Sequence, residues 1–200
     1  MTRTVLFYGD SNTYGYDPRG FGGGRYPAES RWTDLLADAL AGSWKILPYG
    51  QNGRCIPDAD MDRHRIDLML EKLGEKDIFA VMLGTNDIIL SMHPDADTAA
   101  RKMDALLRYI CLGKFRGKVL LIAPPAMDRS AMQIPGYRSY VEETEKLSVK
   151  YRLLAQQYDT LFCDANEWGI AMSYDHVHIA EEGHRTFARE MGSFLEALKD

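Results

Sequence analysis

The sequence predicts an α/β protein: a five-stranded parallel sheet with helices on both faces. Short apolar runs recur five times along the 200 residues, at 5–9, 45–50, 77–84, 118–124 and 160–165. Each is followed by a longer segment whose apolar residues fall at helical spacing. Parallel neighbours need crossover connections, and those helical segments supply them.

The elements follow in order. The run Val5-Leu6-Phe7-Tyr8-Gly9 opens the chain, and Trp32, Leu35, Leu36, Ala39 and Leu40 form the first long apolar face. After the run 45–50, Ile66, Met69, Leu70 and Leu73 form the second face. After 77–84 comes a third, Ala99, Met103, Leu106, Leu107 and Ile110. The run 118–124 precedes 138–157, rich in Glu and Lys, which keeps Tyr140, Thr144, Leu147 and Leu154 on one side and reads as a helix with a solvated face. The last run leads to Phe187, Met191, Phe194, Leu195 and Leu198. No repeat or linker interrupts this alternation, so residues 1–200 read as a single domain.

The charge balance narrows the partners. Lys and Arg number 24 against 29 Asp and Glu, a net charge of −5, with no basic cluster. That argues against nucleic acid and anionic membrane, which call for clustered cations. Cys55, Cys111 and Cys163 are odd in number, widely spaced and form no CxxC pair. They read as reduced thiols of a cytoplasmic protein, Cys163 within the core. No signal peptide is visible, and no stretch approaches the roughly 20 apolar residues of a membrane span.

Ligands of such sheets bind at the carboxyl ends of the strands, so the residues there matter most. The first run ends in Gly9-Asp10-Ser11; the second in Gly50-Gln51-Asn52-Gly53-Arg54; the third in Gly84-Thr85-Asn86-Asp87. Tyr174-Asp175-His176-Val177-His178 precedes the last helix. These residue types suit acyl transfer. A serine hydroxyl becomes nucleophilic when an imidazole takes its proton, and a carboxylate fixes that imidazole's tautomer. Asp175 and His178 are close enough in sequence for one turn to set carboxylate against Nδ1 and aim Nε2 at Ser11. The backbone N–H groups of Ser11 and Gly53 and the Asn86 amide are candidate oxyanion donors.

These four blocks resemble those of the SGNH (GDSL-like) hydrolases, occur in that family's order, and span positions 9 to 178. The stretches "RWTDLLADAL" and "NGRCI" are similar to the arylesterase/acyltransferase branch. The resemblance implies a flavodoxin-like three-layer α/β/α sandwich. It assigns Ser11 as nucleophile, His178 as base, Asp175 as its orienting acid, and Ser11, Gly53 and Asn86 as the oxyanion hole. It further implies acyl transfer to alcohols beside hydrolysis, and a homo-oligomer. Two positions depart from the pattern. His176 stands where the family usually has a small residue, often glycine, and Ala180 where a hydroxyl or amide commonly caps the last helix.

Taken singly, each block has an ordinary structural reading: capping turn, turn dipeptide, helix cap or surface pair. Four together, in order and at one sheet edge, favour chemistry. The α/β-hydrolase elbow Gly-x-Ser-x-Gly is absent, because Thr13 stands where its last glycine would. The expected substrate is a small ester with a short acyl group, or an acetylated sugar, with no cofactor and no metal. Asn12, Tyr14, Ile88, Trp168 and His176 are the expected pocket residues. Two rivals are a zinc hydrolase on Asp175, His176, His178 and His184, whose spacing fits no familiar ligand set, and a silent binding module. Gly20-Phe21-Gly22-Gly23-Gly24-Arg25 lacks the Lys-Ser/Thr ending of a phosphate loop and reads as a loop beside the cleft, a lid or an oligomer contact.

Overall fold

The computed structural model describes residues 2–20, 24–58 and 60–198. Five strands, β1 (Arg3–Gly9), β2 (Trp44–Gly50), β3 (Ile78–Met82), β4 (Lys118–Ala123) and β5 (Leu161–Asp164), form one parallel sheet in the order β2-β1-β3-β4-β5. The helices are α1 (Ser11–Tyr14), α2 (Trp32–Ala39), α3 (Asp60–Leu70), α4 (Thr85–Ile89), α5 (Ala96–Cys111), α6 (Arg138–Tyr158) and α7 (Glu181–Ala197). This is the expected α/β/α sandwich, and every expected strand lies within two residues of its apolar run. The centre of the glycine-rich stretch, residues 21–23, lies outside the described residues. Its flanks are joined by a bridge between Tyr16 and Arg25 and by the Asp17 N–H donating to Gly24 O.

The apolar runs are unbroken because both faces of the sheet are covered. Along β1, Val5 and Phe7 point to one side, against Trp32 and Leu36 of α2 and Phe187, Met191 and Leu195 of α7. Leu6 and Tyr8 point to the other, into a core with Phe79 and Val81 of β3, Met103 and Leu107 of α5, and Leu147 and Tyr151 of α6. Central β3 is buried at all five positions, whereas Pro48 sits in edge strand β2, where its missing N–H leaves no central ladder broken. Burying one large aliphatic or aromatic side chain contributes about 1.5–3 kcal/mol, so these two cores hold the strand ends in place. Helix α6 is solvated on one side only. It buries Val141, Thr144, Leu147, Tyr151, Leu154 and Ala155, and its Glu and Lys residues stay outside.

The strand order creates the site. From β1 the chain steps outward to β2, then crosses back to β3 on the other side of β1. The carboxyl ends of β1 and β3 therefore flank a topological switch point, where such sheets open a crevice.

Candidate active site

Strand β1 delivers the serine. Asp10 caps α1 by accepting the Asn12 N–H on Oδ1 at 2.9 Å, so the chain turns sharply and Ser11 begins the single helical turn. The turn lies close against the end of β2: a Cβ on Gly50 would stand 2.1 Å from Tyr14 N. Only glycine lets the two backbones approach this closely.

Strand β3 delivers the amide. Gly84 holds φ at +122°, and a Cβ there would also meet the Tyr151 hydroxyl at 2.4 Å, which itself donates to Leu83 O. The chain then enters α4, placing Asn86 in its first turn. Asn86 Nδ2 donates to Arg54 O at 3.0 Å and lies 3.5 Å from Asp10 Oδ2. Arg54 ties the neighbouring loop down: its guanidinium donates to the carbonyls of Gly9 and Tyr49 and to Gln51 Oε1, and lies over the Tyr8 ring. Gly53, at φ +72°, is exposed beside it. Among the described residues, neither the Ser11 nor the Gly53 N–H has a protein acceptor.

The loop before α7 delivers the base. It folds on itself through a bridge between Met172 and Ile179 and through the Ser173 N–H donating to His178 O. Asp175 Oδ1 accepts from the backbone N–H groups of Val177 and His178, an Asx-type turn that orients its second oxygen. That oxygen accepts the His178 Nδ1 proton at 2.6 Å, and His178 Nε2 stands 3.0 Å from Ser11 Oγ. A carboxylate only accepts, so the proton sits on Nδ1 and Nε2 is free to accept from the hydroxyl. Hydroxyl, imidazole and carboxylate thus touch in sequence. Burial raises the Asp175 carboxyl, but hydrogen bonds from the His178 ring and backbone outweigh it and leave the net shift downward. Asp10, fully buried, is pushed up to about 6 by desolvation despite its bond from Asn12.

The family model for the GDSL-like lipase/acylhydrolase family matches residues 7–186. The chain belongs to this family. It is accordingly a carboxylic ester hydrolase of the GDSL type, as the four sequence blocks implied. A protein from Agrobacterium tumefaciens, provisionally named an arylesterase, shares 29% identity and a TM-score of 0.81 over 98% of this chain and 99% of that one. Est24 of Sinorhizobium meliloti, a carbohydrate acetylesterase, shares 26% identity and a TM-score of 0.81 over 98% and 100%. The aryl esterase of M. smegmatis, at 22% identity and TM-score 0.81 over 98% and 100%, shares the fold. No curated protein matches the sequence.

Several expected pocket residues of this GDSL-like chain are placed otherwise. Ile88 faces inward from α4 and is fully buried in the core. Trp168 packs edge-on against Phe187, 5.0 Å between ring centres, on the α2/α7 side of the sheet. Asn12 is buried, with its amide turned to the backbone of the histidine loop. Ile88 and Asn12 do not line an open cleft, because core packing and backbone pairing use their side chains, while Trp168 lines a separate pocket with Phe162, Glu190 and Phe194. Tyr14 is half-buried beneath the Arg25 guanidinium. His176 holds a left-handed φ of +64°, which accounts for the family's preference for glycine there. Its carbonyl accepts the Asp128 N–H, and its Nδ1 lies 3.2 Å from Ser130 Oγ. Ala180 caps α7 without a side-chain bond.

Sequence reasoning missed Tyr16, whose ring lies 4.6 Å from that of His178, and the anchoring done by Arg54. The four residues considered as zinc ligands do not converge. His178 is turned to Ser11, and His184 is buried in α7 against Tyr26. Among the described residues no three His, Cys, Asp or Glu side chains are grouped to hold a metal. No helix among the described residues is long and apolar enough to cross a membrane.

Proposed function

We propose that the chain hydrolyses small carboxylic esters through an acyl-enzyme on Ser11. The Ser11–His178–Asp175 chain, with contacts of 3.0 and 2.6 Å, is the observation that carries this reading. Ser11 Oγ attacks the ester carbonyl carbon while His178 Nε2 takes the hydroxyl proton, and Asp175 stabilises the resulting imidazolium. The carbonyl electrons move onto oxygen, where the N–H groups of Ser11 and Gly53 and the Asn86 amide serve as donors. Collapse breaks the bond to the alcohol, which leaves with the proton from Nε2. Water, deprotonated by the same nitrogen, then attacks the acyl-enzyme and releases the acid and Ser11. An alcohol entering in place of water would make acyl transfer the outcome.

A cavity of about 300 Å³ adjoins Gly53, walled by Arg54, Cys55, Ile56, Asp58, Arg65 and Lys102 among others. Its charged walls suit small or hydroxylated groups better than a long alkyl chain. Ser11, Asn86 and His178 do not line this cavity; taken as the acyl side reached past Gly53, it favours a short acyl group and keeps the second reading, an acetylated saccharide, which the likeness to Est24 also supports. The three free cysteines fit a reducing, cytoplasmic setting, and the arylesterase resemblance a homo-oligomer; light scattering of the purified protein tests the latter. Release of p-nitrophenol from p-nitrophenyl acetate by wild type and its abolition in Ser11→Ala test the central reading. Undiminished turnover in that variant would refute it.

A further inference from the structure

We propose that Asn12 is a positioning residue whose side-chain amide clips the backbone on both sides of His178 and so holds the base against the nucleophile. Resting on the triad reading above, this concerns a residue that no step of the chemistry uses. Asn12 Nδ2 donates to Val177 O at 3.2 Å, and Asn12 Oδ1 accepts the Ile179 N–H at 2.9 Å. The amide therefore pairs with the residues before and after the histidine as a neighbouring strand's peptide would.

The other end of the clip is equally fixed. The Asn12 N–H donates to Asp10 Oδ1, and Asn12 O accepts the Trp32 indole N–H at 2.9 Å. All four polar groups of Asn12 are thus used, and the residue is only 3% exposed. Because Asn12 follows Ser11 directly, the clip sets the spacing between Ser11 Oγ and His178 Nε2 although 167 positions separate the two residues.

The residue type fits this task. The two contacts need one donor and one acceptor at a fixed separation, which an amide supplies. Aspartate has no donor for Val177 O, and alanine has neither group. Ile179 is fully buried, so in the alanine variant its N–H would lose its Asn12 acceptor inside the core. The loop needs the support, since His176 holds a left-handed backbone without glycine and Ala180 gives α7 no side-chain cap.

The test is steady-state hydrolysis of p-nitrophenyl acetate by Asn12→Ala and the isosteric Asn12→Asp, with Ser11→Ala in parallel. A fluorophosphonate counts competent sites, and thermal melts report folding. Asn12→Ala should lose about 10²-fold in kcat, the cost of a misplaced catalytic group, with KM held within about twofold. Complete but proportionally slower fluorophosphonate labelling should accompany that loss. Asn12→Asp, which keeps the acceptor, should lose less, about tenfold, as expected for one hydrogen bond. It decides the matter if the alanine variant fails to fold. Wild-type kcat per labelled site in the folded variants would overturn the proposal, as would a loss that only follows the folded fraction. Full activity in Ser11→Ala would instead remove the triad reading on which it rests.

Discussion

His178 and His184 stand close in sequence, one in the loop before α7 and one in its first turn, and their surroundings are opposite. His178 is partly exposed, with a carboxylate on Nδ1 and a hydroxyl on Nε2. His184 is fully buried between Tyr26 and Trp32; its Nδ1 accepts the Trp32 N–H at 3.4 Å, and its Nε2 has no partner among the described residues. Desolvation, with the Arg31 charge adding to it, pulls His184 down to about 4. On the proposed mechanism the same imidazole is therefore a base in one place and a neutral packing element in the other. What separates them is the burial and the ring partners each receives, which the fold supplies and the residue type does not.

The largest expected effects fall on the His178 side. Ser11→Ala and His178→Ala should each lower kcat by about 10⁶-fold. The double variant should lose little more, because the members act as a unit. Asp175→Asn leaves the loop's shape but favours the wrong tautomer, and a loss of about 10⁴-fold in kcat is expected. Removing one oxyanion donor, Asn86→Ala, should cost about 10²–10³-fold in kcat. Initial rates on one activated acetate ester rank all of these. A His184→Leu variant belongs at the far end, with kcat per folded molecule near wild type. An effect there as large as at His178 would erase the contrast.

The His184 side is visible in stability against pH. Its pKa is lowered in the fold, so between about 4 and the ordinary 6.5 the unfolded chain holds a proton that the native chain lacks. Stability from this group is present above 6.5 and lost as pH falls towards 4. From the pKa difference, wild type should lose on the order of 3 kcal/mol relative to His184→Leu across that window. Asp10 has the opposite sign. Its carboxyl is raised from 3.8 to about 6, so the native state holds the extra proton, and stability is lost as pH rises through that interval. Urea titrations of wild type, His184→Leu and Asp10→Asn at several pH values should show the two slopes opposed.

The sequence revealed those parts of the molecule that depend on local pattern. Strands announced themselves because a sheet covered on both faces demands unbroken apolar runs, as in Ile78–Met82. The candidate catalytic and oxyanion groups announced themselves because Ser11, Gly53, Asn86 and His178 occupy strand ends or turns with small, polar neighbours. The clip at Asn12 was hidden, since its partners lie 165 and 167 positions away and nothing local marks it. Tyr16 was hidden for the same reason. Ile88 and Trp168 misled because proximity to the site in sequence says nothing of which way a side chain points; one faces the core from α4, the other meets Phe187. At His176 the left-handed backbone was marked only by the departure from the family's usual small residue, and its contacts with Asp128 and Ser130 by nothing local.

The most direct test of the account is where the covalent bond forms. Intact-protein mass spectrometry after fluorophosphonate treatment, followed by peptide mapping, should find one adduct per chain, on Ser11, and none in His178→Ala over the same brief exposure. An adduct on another residue, or equal labelling of wild type and the histidine variant, would contradict it.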